Sequence, residues 1–593
     1  MKYELRANQL IGAGGVGAIV DIGDESFYVT DTTKWGRPSR RIVLPRMESR
    51  LRRRLYHPPE DVANSRGAVP LRRFPESLFC NRSQCRRIVV RWDEQKFGNP
   101  DGRPRCPYCG HEGSLVPMRF VAACRDGHLS DVPWNKWVSH SQDECRIQPQ
   151  LKLLVKGGGT GGLESLVVKC LGCENSRDLG GITSPEAMKR VGARCLGRHP
   201  GIYDPDARCE AELEVLQRGA TNLYYSVTAS ALALEQTRDQ PEDFNSLLEE
   251  SDFKMLAQMY SATASSGNFV PPHIENMIAM VAANHAVTED QVRLLLDTGS
   301  EPGPVSEDSA PDWNEAEILA EEWSFLMSAA ATNCSREDLV CRESDTPRFK
   351  GKSPFDRILL IERLREVRAF LGFRRIDPSG DLVSPNVGRT FEQGMRPWYP
   401  AVEIYGEGIF LSFDEEWVDN WELRIADNAA EMARIEELER VRSEANFWFL
   451  PSVSPRHIAI HTFAHLLMRQ LVFESGYSSS ALRERIYAGP GMAGLLIYTA
   501  DGDSEGSLGG LVRQGQPNRL GDTLLLALDK AQWCSADPVC SETNGQGLGG
   551  FNRAACHACS LVPETSCTSA NTLLDRGLLL GRDGVPGLLG DLV

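Results

Sequence analysis

Twelve of the seventeen cysteines in this 593-residue chain fall into three groups, and each group contains a Cys-x-x-Cys pair. Two thiolates separated by a tight turn can meet one metal ion at tetrahedral angles. The first group is Cys80, Cys85, Cys106 and Cys109, spaced C-x4-C-x20-C-x2-C, and its second half reads "RCPYCGHEG". A proline inside the knuckle and a glycine after it suit a zinc ribbon, and two strands fit between the pairs. The last group is Cys534, Cys540, Cys556 and Cys559, spaced C-x5-C-x15-C-x2-C. It lies in "WCSADPVCSETNGQGLGGFNRAACHACS", a Gly-, Ser- and Asn-rich loop with too little apolar surface to offset its own ordering entropy. A structural zinc ion supplies roughly 10–16 kcal/mol of apparent binding energy, enough to fix such a loop. Four thiolates leave no open ligand position, so both groups predict closed, structural zinc sites.

The middle group is less determined. Cys170 and Cys173 form the pair "CLGC", and Cys195 and Cys209 are expected to complete the set from further along the chain. Around "CRDGHLSDVPWNKWVSH" stand Cys124, His128, His140 and Cys145. They leave three readings: a Cys2His2 site of their own, a ligand lent to Cys170 and Cys173, or ordinary core residues. Cys334, Cys341 and Cys567 are expected to pack as small apolar groups.

Other motifs carry less. "RHIAIHTFAHLL" places His457, His461 and His465 on one helical face, but lacks the Glu of HExxH. A buried, hydrogen-bonded His pair is the simpler reading. "IYTADGDSEGSLGGL" is a strand followed by an acidic loop, where Asp501 and Asp503 could bind Mg²⁺ or simply make turns. "GAGGVG", Gly12 to Gly17, fits GxGxxG, yet "AIVDIGDESFYVTD" follows it, a hairpin pattern rather than the helix a dinucleotide turn must open. No Walker A sequence, GxSxG elbow or HKD-type pair stands out.

The elements that would position these groups predict an α+β multidomain chain. Residues 1–78 read as a β-rich segment with a basic block, and 79–215 as a cysteine-rich, zinc-binding region. Residues 216–450 read as mainly helical, with "SPFDRILLIERLREVRAFLG" taken as a helix behind a Ser cap and Pro. Residues 451–593 begin with the helix "PRHIAIHTFAHLLMRQLVFESG" and end in the last cysteine group. Zinc-ribbon-like modules are thus expected near both ends, with a helical middle. No run of eighteen apolar residues and no signal-peptide layout occur, so a cytoplasmic protein with reduced thiols is expected. Net charge is −16, but from Lys34 to Arg105 there are 19 Lys and Arg against 7 Asp and Glu. That block carries +12 and leaves −28 for the rest. Such a block is most often a footprint for nucleic acid, with an acidic protein neighbour as the alternative. Arg50, Arg52, Arg53, Arg54, Arg72 and Arg73 are the candidate phosphate contacts.

Taken together, "RANQLIGAGGVGAIVDIGDESFYVTDTTKW", "CRDGHLSDVPWNKW" and "LQRGATNLYYSVTASAL" resemble the DrmB family, core proteins of bacterial DISARM anti-phage systems. The C-terminal part, from "HTFAHLLMRQL" through "CHAC" to "NTLLDRGLLLG", resembles a domain shared by that family and MrfA-like DNA-repair helicases. The resemblance implies zinc on Cys534, Cys540, Cys556 and Cys559, a superfamily 2 helicase partner (DrmA) that brings the ATP site, and DNA as shared ligand. Residues from about 240 to 450 carry no matching motif, and "HPGIYD" departs from the family pattern after the third cysteine of the middle group. The implied role is a non-catalytic accessory subunit that helps form or gate the helicase's DNA channel. Its rivals are a metal-dependent nuclease component and an assembly scaffold without DNA contact.

Overall fold

The computed structural model describes residues 6–36, 38–59, 69–90, 103–110, 112–141, 144–145, 150–156, 161–200, 208–234, 247, 250–264, 271–285, 287, 289, 292–293, 295–296, 313–386, 398–445, 447, 449–500, 509–582 and 584–592. The architecture mixes α and β, as expected, and divides into two compact units. One comprises Met1–Ile42, Arg53–Ala229 and Ala369–Val402; the other comprises Val43–Arg52, Ser230–Arg368 and Glu403–Val593. Among the described residues no helix is long and apolar enough to cross a membrane.

The first unit is built from small antiparallel sheets. The hairpin Ile19–Ile22 and Glu25–Val29 turns at Gly23, and Leu71–Arg73 adds a third strand beside it. Two glycines of the run before the hairpin allow close packing. A Cβ on Gly15 would meet Tyr224 and Phe370, and one on Gly17 (φ +86°) would clash with the edge of the Phe373 ring at Cε1. Three further three-stranded sheets follow. They are Ile88–Val89, Leu78–Cys80 and Leu115–Pro117; then Leu129–Asp131, Phe120–Ala123 and Glu214–Gln217; and Leu151–Val155, Leu166–Cys170 and Ser176–Asp178. Between the last two sheets the short helix Trp134–Val138 buries both its tryptophans, and Cys124, Cys145, Cys170 and Cys195 lie in the same apolar core.

The second unit centres on a sheet with strand order Asn333–Ser335, Leu339–Ser344, Phe355–Arg374, Tyr399–Phe413, Gly494–Thr499 and Leu482–Tyr487. The stretch read as a helix, "SPFDRILLIERLREVRAFLG", is therefore a strand. It is buried on both faces for most of its length, which yields near-continuous apolar runs that period alone cannot tell from a helix. The expected helix Pro455–Ser475 is present. The Ser454 side chain caps it by accepting from His457 N–H (3.1 Å), Pro455 occupies its first position, and Gly476 ends it in the left-handed region (φ +78°). It is buried on nearly every face within the main apolar cluster, against the strand Leu482–Tyr487 and the helices Pro517–Ala531 and Arg576–Leu580.

Candidate metal centres

Four sulfurs held 2.3 Å from one zinc ion stand about 3.8 Å apart at tetrahedral angles. The two outer cysteine groups have this spacing. In the first, Cys80 and Cys109 sulfurs are 3.8 Å apart and Cys85 and Cys106 are 3.7 Å apart. The strand Leu78–Cys80 delivers Cys80, and the turn closed by Cys85 N–H to Arg82 O (3.1 Å) delivers Cys85. Gly110 adopts φ +65° directly after the second knuckle, a conformation that favours glycine. Burial pushes the Cys80 and Cys106 thiols up, so an ion is what would hold them as thiolates.

In the last group the Cys534–Cys556 separation is 3.6 Å, and Cys540–Cys559 and Cys556–Cys559 are both 3.8 Å. N–H groups of Ala536 and Cys556 point at the Cys534 and Cys559 sulfurs, at 3.4 and 3.3 Å. Arg576 supplies the nearby positive charge: it donates to Ala554 O (2.6 Å) and Ala531 O (2.7 Å) and lies 3.8 Å from Cys540 Sγ. Cys534 and Cys540 are buried, so the loop packs around its sulfurs as a small core.

The middle group does not assemble as expected. Cys170, Cys173, Cys195 and Cys209 separate into two clusters, each completed by residues whose role the sequence left open. Cys195 and Cys209 join Cys124 and His128: Cys124 Sγ lies 3.6 Å from Cys195, 3.8 Å from Cys209 and 3.3 Å from His128 Nδ1. Cys170 and Cys173 join His140 and Cys145, with His140 Nδ1 3.4 Å from Cys173 Sγ. Sheet pairing is the reason. Cys170 ends a strand bound to Leu151–Val155 and Ser176–Asp178, and Trp137, three residues before His140, donates to Asp178 O, whereas Cys124 leaves a strand that pairs with Glu214–Gln217 just after Cys209. Burial would raise the Cys173 thiol, but hydrogen bonds led by His140 bring it down to about 5. The spacing Cys-x3-His across a Gly-containing turn (Gly127, φ +83°) was the available signal for the first of these sets. All four clusters suit zinc in donor type and spacing, and each supplies four protein donors.

A fifth group brings His461 and His465 together with Glu484 and Cys567. His457 is buried on the same helix but is not among these donors, and burial, helped by His461, lowers its pKa to about 3. Asp501 and Asp503 lie outside the described residues.

The candidate phosphate contacts are not uniformly available. Arg50 is paired with Glu321, and Arg72 with Glu76 at 2.9 Å. Arg73 donates to Glu25 (2.9 Å from Nε) and lies over the Phe27 ring. Arg53 stacks on Tyr399, 4.9 Å from the ring centroid. Arg52 is exposed at the left-handed end of the helix Pro45–Leu51, and Arg54 is half-buried.

Residues 6–225, which hold the first three clusters, match a family described as a domain of unknown function, DUF8724. Residues 463–560, which include Cys534, Cys540, Cys556 and Cys559, match the MrfA Zn-binding domain. The DISARM protein DrmB of Bacillus paralicheniformis is 29% identical to this chain over 570 residues, covering 95% of this chain and 97% of that protein. The chain is thus similar to the DISARM protein DrmB along nearly all of its length, and its C-terminal part matches the MrfA Zn-binding domain.

Proposed function

We propose that this protein is a zinc-stapled, non-catalytic component of DISARM anti-phage defence that binds a DrmA-type superfamily 2 helicase and helps form or gate its DNA channel. The observation that carries the reading is the near-full-length likeness to the DISARM protein DrmB, which supports membership of such a system. The metal centres favour an architectural role. An ion with four protein donors has no position left for substrate or an activated water, whereas a catalytic zinc keeps one open. The seventeen free cysteines suit a reducing, cytoplasmic compartment. DNA is reached through the basic block, with phosphate contacts that give affinity without sequence readout.

The scaffold reading, without DNA contact, is favoured by one observation: Arg50, Arg72 and Arg73 already have carboxylate partners within their own units. Co-purification with the neighbouring helicase, followed by DNA binding of each part and of the complex across a salt series, separates the two. A complex that forms and binds DNA with a steeper salt slope than the helicase alone supports the channel. A complex whose slope equals that of the helicase alone supports the scaffold. Failure to associate with the helicase overturns the proposal.

A further inference from the structure

The geometry points to a fifth metal centre, of mixed donors, formed by His461, His465, Glu484 and Cys567 and suited to a zinc ion. His461 and His465 stand four residues apart on the helix Pro455–Ser475 and so share a face, while Glu484 comes from the strand Leu482–Tyr487. Cys567 arrives from a loop 106 positions after His461. His461 Nε2 is 3.0 Å from Glu484 Oε1 and 3.3 Å from Cys567 Sγ, and His465 Nε2 is 3.4 Å from the same Oε1. Tetrahedral zinc with nitrogen and oxygen donors near 2.0–2.1 Å and sulfur at 2.3 Å sets donor separations of about 3.3–3.6 Å, close to these distances. His461, His465 and Glu484 are completely buried.

The surroundings of the donors are those of ligands. His465 Nδ1 lies 3.0 Å from Ser560 O, and a carbonyl can only accept, so Nδ1 carries the proton. In the neutral ring of that tautomer the Nε2 lone pair aims at Glu484, where two acceptors face each other unless a proton or a metal cation stands between them. A backbone carbonyl on the far nitrogen of a metal-bound His is the usual orienting contact. Cys567 Sγ receives N–H groups from Ser569 and Asn571, both at 3.3 Å. The first of these comes from two residues further on, the pattern also made by Gly197 on Cys195 and Ala536 on Cys534 in the cysteine clusters. Among the described residues, Glu484 Oε2 and His465 Nε2 have no hydrogen-bond partner. One thiolate and one carboxylate also neutralise a divalent ion, which suits a site in the apolar core better than four thiolates would.

Such an ion would tie the helix Pro455–Ser475 to the neighbouring strand and to a loop beyond the matched MrfA Zn-binding segment. It would also touch the last cysteine cluster through one residue: Ser560 accepts from His465 at its carbonyl, while its hydroxyl donates to Cys559 Sγ at 3.3 Å. Diffraction at the zinc absorption edge from crystals of the full chain, prepared without chelator, tests the assignment. Anomalous density between these four side chains, as at the cysteine clusters, is expected. Density at the clusters with none here overturns it. Cys567→Ala and Glu484→Gln should each remove one zinc per chain by elemental analysis, and folded variants that keep the full zinc content also overturn it. Where a variant does not fold, the wild-type map decides.

Discussion

Arg375 is the residue whose removal best tests how the first unit is held together. Its guanidinium is completely buried and has no carboxylate partner among the described residues. It donates to three backbone carbonyls instead: Nε to Gly127 (2.9 Å), Nη1 to Leu223 (2.8 Å) and Nη2 to Gly17 (2.6 Å), with the Phe373 ring 4.6 Å away. One side chain therefore joins the glycine run, the segment ahead of Tyr224, and the turn that carries Cys124 and His128. In Arg375→Met, three buried carbonyls lose donors at about 1–3 kcal/mol each. Methionine relieves the cost of burying a charge, which offsets several kcal/mol of that loss. The expected net destabilisation is about 2–4 kcal/mol, what remains of summed losses of about 3–9 kcal/mol after that offset.

A global unfolding midpoint is poorly defined for a chain of two units. Hydrogen exchange read by peptide is the better assay, since it reports local opening. With each 1.4 kcal/mol worth tenfold, amides around Gly17, Gly127 and Leu223 should exchange about 30- to 700-fold faster. The helix Pro455–Ser475, in the other unit, should not change. Zinc bound at Cys124 and His128 should also pass to a chelator sooner, because Gly127 lies inside their turn. Unchanged exchange at all three carbonyl-bearing segments would refute the reasoning.

Protein purified without chelator should carry at least two zinc ions per chain by elemental analysis; less than one contradicts the structural role of the outer clusters. Cys540→Ser should release the ion of the last cluster and open the loop from Cys534 to Cys559 to limited proteolysis, and a loop as resistant as wild type would count against metal as its core. Glu366 is buried beside Arg368 (2.9 Å), Arg485 (3.6 Å) and Arg483 (3.9 Å), so Glu366→Gln should cost about 3–5 kcal/mol by removing the carboxylate they share, although Arg485 keeps Glu322 at 3.0 Å. Burial alone would raise this carboxyl, but the three arginines hold it down to about 2 against 4.5 for a free Glu. Its stabilisation is therefore complete above about pH 4.5 and lost as pH falls toward 2, and the acid unfolding curve of Glu366→Gln should lack that component.

What the sequence disclosed follows the range of the interactions. Cys106 with Cys109, and Cys556 with Cys559, lie within one turn, so the chelating pairs are visible locally. The choice between Cys124 and Cys170 as partner for Cys195 is not local, because it depends on which strands pair. The strand Phe355–Arg374 was hidden for a related reason: burial on both faces removes the alternation that marks a strand at a surface. His461 and His465 showed as a helical face, but Glu484 lies 23 positions beyond His461, on a strand, and Cys567 seemed an isolated thiol. A cluster drawn from a helix, a strand and a loop has no spacing to read.

The basic block carries the same lesson into function, because sequence gives the density of charge and not its direction. Arg50 finds Glu321 at a separation of 271 positions, and Arg73 finds Glu25 at 48. A guanidinium already engaged by a carboxylate must break that pair before it neutralises a phosphate, so six arginines do not amount to six contacts. Arg52 and Arg54 are the members to test, one exposed and the other half-buried. Each phosphate contact contributes about 0.7–0.9 to the slope of log affinity against log salt. Reversing both to Glu in the helicase-bound protein should flatten that slope by up to about 1.8, equally on unrelated DNA sequences. Arg50→Glu should leave the slope as it was and instead weaken the contact with Glu321. If the double reversal leaves the slope unchanged in an intact complex, the block faces protein rather than DNA.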